Sequence, residues 1–234
     1  MDFGKAFSFV FEDDEWLKKI GIAGLISLIP VLGLLVVIGW GVEITRRVIQ
    51  NHPEPLPDWD AFVDYLVKGL QVFVIGFVYM LPVIVIELCV GIIPLLGGQT
   101  GGNEDTLVAV FGIFAACLVC LTTLYSLVIG LIFPAAIGNF AAKNELKAAF
   151  SLGEVFGMVR DNIGTYALVL LGSLAAGFVG SLGTIACVIG VIFTYAYAYA
   201  INGHLWGQAY NVAFPSAGSG DVGGTVEPDL SADF

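Results

Sequence analysis

Four apolar stretches, 20–42, 69–97, 107–134 and 163–210, are each long enough to enter a lipid bilayer. A helix needs roughly 20 apolar residues to cross the ~30 Å hydrocarbon core. Backbone N–H and C=O groups in lipid have no water to bond to, so segments of this kind fold as helices. The last stretch is divided by Gly180-Ser181-Leu182-Gly183 and reads as two helices joined by a short turn. The expected fold is all-α: a polytopic membrane helical bundle with four transmembrane helices, a first segment that dips in and returns, and interfacial amphipathic helices.

Charge supports this placement. Only 12% of residues are charged, against about 25% in a soluble domain, and the mean hydropathy is +0.91. Residues 1–211 read as one helical membrane domain, and 212–234 as an acidic, Gly/Ser-rich disordered tail. The net charge of −11 arises from the Glu12-Asp13-Asp14-Glu15 cluster, Glu104-Asp105, and Asp221, Glu227, Asp229 and Asp233 in the tail. Nine scattered basic residues make no phosphate-binding patch, which argues against nucleic acid as a partner. The acidic N-terminal region and the lack of a small-x-small site after the first apolar run lead us to expect no cleaved signal peptide.

The basic residues set the expected topology. The 97–106 loop and the 180–184 turn carry none, so the positive-inside rule places both outside. Segment 69–97 then runs outward, 107–134 returns, and 163–180 with 184–210 forms a hairpin that leaves the C-terminus in the cytoplasm. The first segment has Lys18-Lys19 before it and Arg46-Arg47 after it. A crossing would strand Lys5, Lys18 and Lys19 outside, whereas a re-entrant hairpin keeps all nine basic residues inside. Pro30 and Gly33 lie where such a hairpin would turn. We therefore expect re-entry, with a crossing helix as the alternative.

Three amphipathic stretches precede membrane segments: Phe3, Ala6, Phe7, Val10 and Phe11; Trp59, Phe62, Val63 and Leu66; and Ala148, Leu152, Val155, Phe156 and Val159. Such helices lie in the membrane interface with the apolar face down. The thrice-repeated order, with Ile29-Pro-Val-Leu-Gly33 echoed by Ile93-Pro-Leu-Leu-Gly97, reads as a weak internal repeat. The linker Asn51-His-Pro-Glu-Pro-Leu-Pro-Asp58 is an extended spacer, with Asp58 as expected N-cap of a helix from Trp59.

Trp16-Leu-Lys-Lys19, Leu28-Ile-Pro-Val-Leu-Gly33, Gly39 followed by Arg46-Arg47-Val48, and Pro55-Leu-Pro-Asp-Trp-Asp60 leading to Gly69-Leu70 and Leu81-Pro82 resemble the prokaryotic membrane family called domain of unknown function 4013. The resemblance covers roughly 1–211, and its most specific part is Leu-Pro-Asp-Trp after a basic pair. It implies a prokaryotic cell-membrane location. The family has no established activity, so it lends no site residues.

The residues themselves offer a few candidates. Glu87 is the acidic residue deep inside an apolar run, and intramembrane carboxylates are functional suspects; Thr122, Thr123 and Ser126 are the polar residues that would accompany it in an ion path. Gly172, Ala176 and Gly180 form a small-residue face suited to close helix packing, within the fold or between copies. Tyr195, Tyr199, Asn202 and Trp206 form one stripe with His204 beside it: an aromatic belt, or a contact face for a lipid headgroup or partner. Cys117-Leu-Val-Cys120 reads as small packing residues, because no second pair completes a metal site. We expect no metal, no cofactor and no catalytic grouping. The expected function is a non-enzymatic scaffold or accessory subunit, which packs against the bilayer and against other membrane proteins or copies of itself. The competing readings are a small transporter or channel built on broken helices around Pro30 and Pro82, with Glu87 in the path, and a bilayer-sensing or lipid-binding protein.

Overall fold

A computed structural model describes residues 1–97 and 104–215, with side chains described outside 89–111 and 186–189. The helices are α1 (Phe3–Ser8), α2 (Trp16–Ser27), α3 (Leu32–Ile49), α4 (Phe62–Gly97), α5 (Glu104–Lys143), α6 (Leu152–Asp161), α7 (Ile163–Leu182) and α8 (Cys187–Ala213). Short 3-10 turns follow α1, α5 and α7 at Phe9–Glu12, Leu146–Phe150 and Gly183–Ala186. No strand occurs among the described residues. Three helical stretches, Phe62–Leu88, Gly112–Lys143 and Ile163–Ile185, are long and apolar enough to cross a membrane, which makes this a multi-pass membrane chain. Most of the 97–106 loop and of the acidic tail lies outside the described residues.

The first apolar run is two helices. Pro30 offers no N–H and Val31 sits at φ 65°, a region costly for a β-branched residue. The break is closed by Leu32 N–H on Pro30 O at 2.7 Å and Gly33 N–H on Ile29 O at 2.9 Å. A Cβ on Gly33 would lie 1.8 Å from the Ile26 carbonyl oxygen, so the tightness of the turn requires glycine there. Away from the turn the two arms stay together: Lys19 on α2 and Trp40 on α3 both contact Trp59.

α3 then crosses α4 at very close range. A Cβ on Gly39 would stand 1.8 Å from the Tyr65 oxygen, and one on Gly69 1.8 Å from the Leu35 oxygen. Paired glycines allow backbones to approach in this way. The crossing decides which face of α4 is buried, and it corrects two expectations. The second amphipathic stretch is no separate interfacial helix but the linker end and the first turns of α4, which starts at Phe62. Its expected apolar face is split: Phe62 and Val63 are exposed, Val63 by 71%, while Trp59 and Leu66 pack against the core and Tyr65 and Lys68 are buried. Nor does Pro82 break the chain, since α4 runs through it.

The other two amphipathic stretches are docked, not free. Ala6, Phe9 and Val10 are buried, while Phe11 is exposed, because α1 and its turn fold back on α7 and α8 with Tyr197 OH donating to Phe7 O. On α6, Val155, Met158 and Val159 join the core with Ile129, Ile137 and Tyr166, leaving Leu152 and Phe156 exposed. α8 packs along α3; its Gly203 and Gly207 face the backbone of Gly41 and Thr45.

In contrast, from Met80 to Leu88 on α4 and from Gly112 to Val128 on α5 no side chain is buried. Apolar residues there, such as Val85, Leu88, Ile113, Val119 and Leu121, are all more than half exposed.

Candidate functional site

Four consecutive linker residues make a dense polar construction. Leu56 is buried and its carbonyl accepts from Lys19 Nζ at 3.1 Å. The Pro57 carbonyl accepts from Trp40 Nε1 at 3.1 Å. The Asp58 carboxylate pairs with Lys19 at 3.2 Å while its carbonyl accepts from Tyr65 OH at 2.7 Å. Trp59 donates from Nε1 to the Lys19 carbonyl at 2.9 Å and stacks on Trp40 with centroids 5.4 Å apart. Leu56-Pro57-Asp58-Trp59 is therefore a clasp that joins α2, α3 and the start of α4. Asp58 is not the N-cap the sequence suggested, because α4 begins four residues later and the carboxylate is drawn to Lys19 instead.

Lys19 is buried between Asp13 at 2.7 Å and Asp58. Burial disfavours its ammonium, yet the two carboxylates outweigh burial and hold it above its ordinary pKa. Lys68 is likewise buried, paired with Glu43 and with Asp64 at 2.6 Å, and Glu43 also faces Arg47 at 3.7 Å. On the opposite flank Glu154 accepts from Lys143 and, at 3.0 Å, from Asn139. Lys143 is the main reason that its carboxyl lies below the usual range; burial opposes the shift and Asn139 adds to it.

The residues expected from sequence fall in different places. Glu87 is on the exposed surface of α4. Thr122 and Thr123 donate to the Val119 carbonyl and Ser126 to the Thr122 carbonyl, so these hydroxyls are satisfied by their own helix. Cys117 and Cys120 are exposed free thiols. Gly172, Ala176 and Gly180 are buried and form an internal face: a Cβ on Gly172 would meet Leu205 at 2.8 Å and Phe3 at 2.9 Å, and one on Gly180 would meet Ala198 at 3.4 Å.

The α8 stripe divides along its length. Tyr195 is 49% exposed, whereas Tyr199, Asn202 and Trp206 are partly buried. Trp206 packs edge-on to Phe133, and its Nε1 and the Asn202 Oδ1 are enclosed without a hydrogen-bond partner. His204 is buried, stacked on Phe9 at 4.4 Å, so it belongs to the contact between α8 and the N-terminal segment.

His52 and His204, far apart in the sequence, both line one cavity of about 530 Å³ at the end of the bundle where α1, the 51–55 spacer and the last turns of α8 meet. Gln208, which sequence reasoning passed over, organises it. Its amide accepts from Asp2 N–H at 2.6 Å, donates to Asp2 O at 2.9 Å, and lies 2.9 Å from His204 Nδ1. No group of three potential metal ligands occurs among the described residues.

The family model described as "Protein of unknown function (DUF4013)" matches residues 22–189. No curated protein and no solved structure matches the chain.

Proposed function

The chain belongs to the DUF4013 family, and from that premise we propose that it is a non-enzymatic membrane scaffold or accessory subunit. The observation that carries this reading is the bare surface of α4 and α5. Over Met80–Leu88 and Gly112–Val128 no side chain is fully buried, Tyr125 packing only partly against the core, and Glu87 lies exposed within that surface. A carboxylate facing acyl chains costs a few kcal/mol on insertion scales, so the surface suits another membrane protein or a second copy better than lipid alone.

In this reading α4, α5, α7 and α8 cross the bilayer and the α2–α3 hairpin is re-entrant. The α2 arm from Lys19 to Ser27 measures about 12 Å at 1.5 Å per residue, far short of the ~30 Å core. Both termini lie in the cytoplasm. Support comes from the Asp2–Gln208 bonds, which hold the N-terminal segment at the C-terminal end of α8. The Asn211–Val48 bond brings the Arg46-Arg47 end of α3 to the same place.

The test is isolation in mild detergent with single cysteines at Val85 and Leu121 for cross-linking. Cross-links to a neighbouring protein or a second copy are expected. A chain that stays monomeric in detergent and native membranes, with no cross-linked or co-purifying protein, would overturn the subunit reading and favour a stand-alone transporter.

A further inference from the structure

The cavity around His204 has the volume of small-molecule sites, which run from about 300 to 1,000 Å³. Its chemistry is set by Gln208. Asp2 N–H can only donate and Asp2 O can only accept, so the Gln208 amide has one orientation and presents its NH₂ to His204 Nδ1. Nδ1 is thereby the acceptor, and the neutral ring carries its proton on Nε2. His204 is 3% exposed, so this donor is held rigidly, with its ring against Phe9.

Both signs of charge reach the cavity. Lys5 lines the cavity and makes no ion pair among the described residues. Asp2 and Glu12 line it too, beside the apolar walls of Val48 and Pro55. One Asp2 carboxylate oxygen caps α1 at the Lys5 N–H, 2.9 Å, and one Glu12 oxygen accepts from Ser8 at 3.4 Å, which leaves each carboxylate a second oxygen. A simple anion would meet the two carboxylates, and a simple cation would leave Lys5 and the His204 donor unused. A ligand with both an ammonium and an oxyanion answers each group.

We infer that this cavity binds a small zwitterion that joins a primary ammonium to an anionic phosphate, in the manner of ethanolamine phosphate. The ammonium lies toward Asp2 and Glu12, and the phosphate toward Lys5 and the His204 Nε2–H. The same chemistry is offered by a soluble phosphomonoester and by the headgroup of an aminophospholipid.

The full chain in nanodiscs tests this, with ethanolamine phosphate and choline phosphate as soluble probes and with lipid discs of phosphatidylcholine, alone or mixed with phosphatidylethanolamine. Ethanolamine phosphate is expected to bind in phosphatidylcholine discs more tightly than choline phosphate, which lacks N–H donors. Lys5→Gln and Glu12→Gln should each weaken binding by about tenfold, the usual scale for one charge-assisted hydrogen bond. Both sites are exposed, so unchanged melting temperatures should show that the fold is intact. His204→Phe should keep the ring stacked on Phe9 and lose affinity. If the headgroup is the source, phosphatidylethanolamine co-purifies in excess over its share of the disc and its presence blocks the soluble probe; if the source is soluble, the probe binds equally in both discs. Absence of binding at millimolar probe together with no lipid enrichment, or binding unaltered by all three substitutions, overturns the inference.

Discussion

The indole N–H of Trp59 donates at 2.9 Å to the backbone carbonyl of Lys19, across a sequence separation of 40 residues. This bond ties the linker to the first arm of the hairpin, while the same ring stacks on Trp40 in the second arm. Trp59→Phe should keep much of the stack and lose the hydrogen bond, a cost of about 1 kcal/mol. Trp59→Ala removes both and should cost about 3 kcal/mol or more. Thermal unfolding in detergent will rank the two; equal melting temperatures would mean that the clasp does not hold the hairpin.

The α3–α4 crossing should tolerate no side chain. A Cβ at Gly39 would stand 1.8 Å from a backbone oxygen, where no rotamer change brings relief. Gly39→Ala is therefore expected to push the helices apart and destabilise the chain by about 3 kcal/mol or more. Gly153→Ala on α6, where a Cβ meets nothing within 4 Å, is the control and should be neutral or slightly stabilising through helix propensity. A Gly39→Ala chain as stable as that control would show that the crossing is looser than described.

Helix identity and the break at Pro30 were legible in the sequence because apolar length and a proline with a following glycine act locally. The resemblance of Leu56-Pro-Asp-Trp59 to a family motif was legible as well, but its role was not. Every bond of the clasp reaches a residue outside the motif, and periodicity carries no information about Lys19 or Trp40. The buried face of α4 was misassigned for a related reason: apolar spacing favoured Phe62 and Val63, whereas the glycine crossing turned Tyr65 and Lys68 inward. In lipid an exposed apolar residue costs nothing, so hydrophobicity alone does not report which face is inside. Gln208 and His204 share a face of α8 at i, i+4, but the N-terminal segment that docks on both through Asp2 and Phe9 is a contact no local pattern announces.

Lowered pH should loosen the junction of α5 and α6. Lys143 holds the Glu154 carboxyl below its ordinary value of 4.5. The folded state then binds its proton more weakly than the unfolded chain, so the contribution is fully present above the ordinary carboxylate range. It is lost as pH falls through the lower folded value. Melting temperature should decline in acid, and Glu154→Gln should flatten that decline while lowering stability at neutral pH. An identical acid profile in the variant would remove Glu154 as a contributor.

Ala176 is fully buried on α7, beside Ile201 and Leu205 of α8 and Ala6 of α1. Ala176→Leu is expected to damage the fold itself and not an interface between copies, since overpacking a tight core costs about 1–3 kcal/mol. Leu171→Ala, on the exposed side of the same helix, should leave the melting temperature nearly unchanged. Oligomeric state after mild solubilisation separates the cases: a well-folded Ala176→Leu chain with altered assembly would place this face outside the monomer.

Asp14 and Asn51 are exposed and flank the α2–α3 hairpin, so single cysteines there report on which side each arm emerges. Ala6 is buried and would label poorly on either side. In a cysteine-free background, re-entry requires that Asp14→Cys and Asn51→Cys respond alike: both protected from an impermeant thiol reagent in intact cells, and both labelled once the membrane is opened. Gly102→Cys, in the loop that the charge distribution places outside, should label in intact cells and shows that the reagent works. The length of α2 argues for this outcome, because about 12 Å from Lys19 to the turn cannot span the core. Labelling of position 14 but not 51 from outside would show that the segment crosses, with Lys5, Lys18 and Lys19 on the outer side against the charge rule.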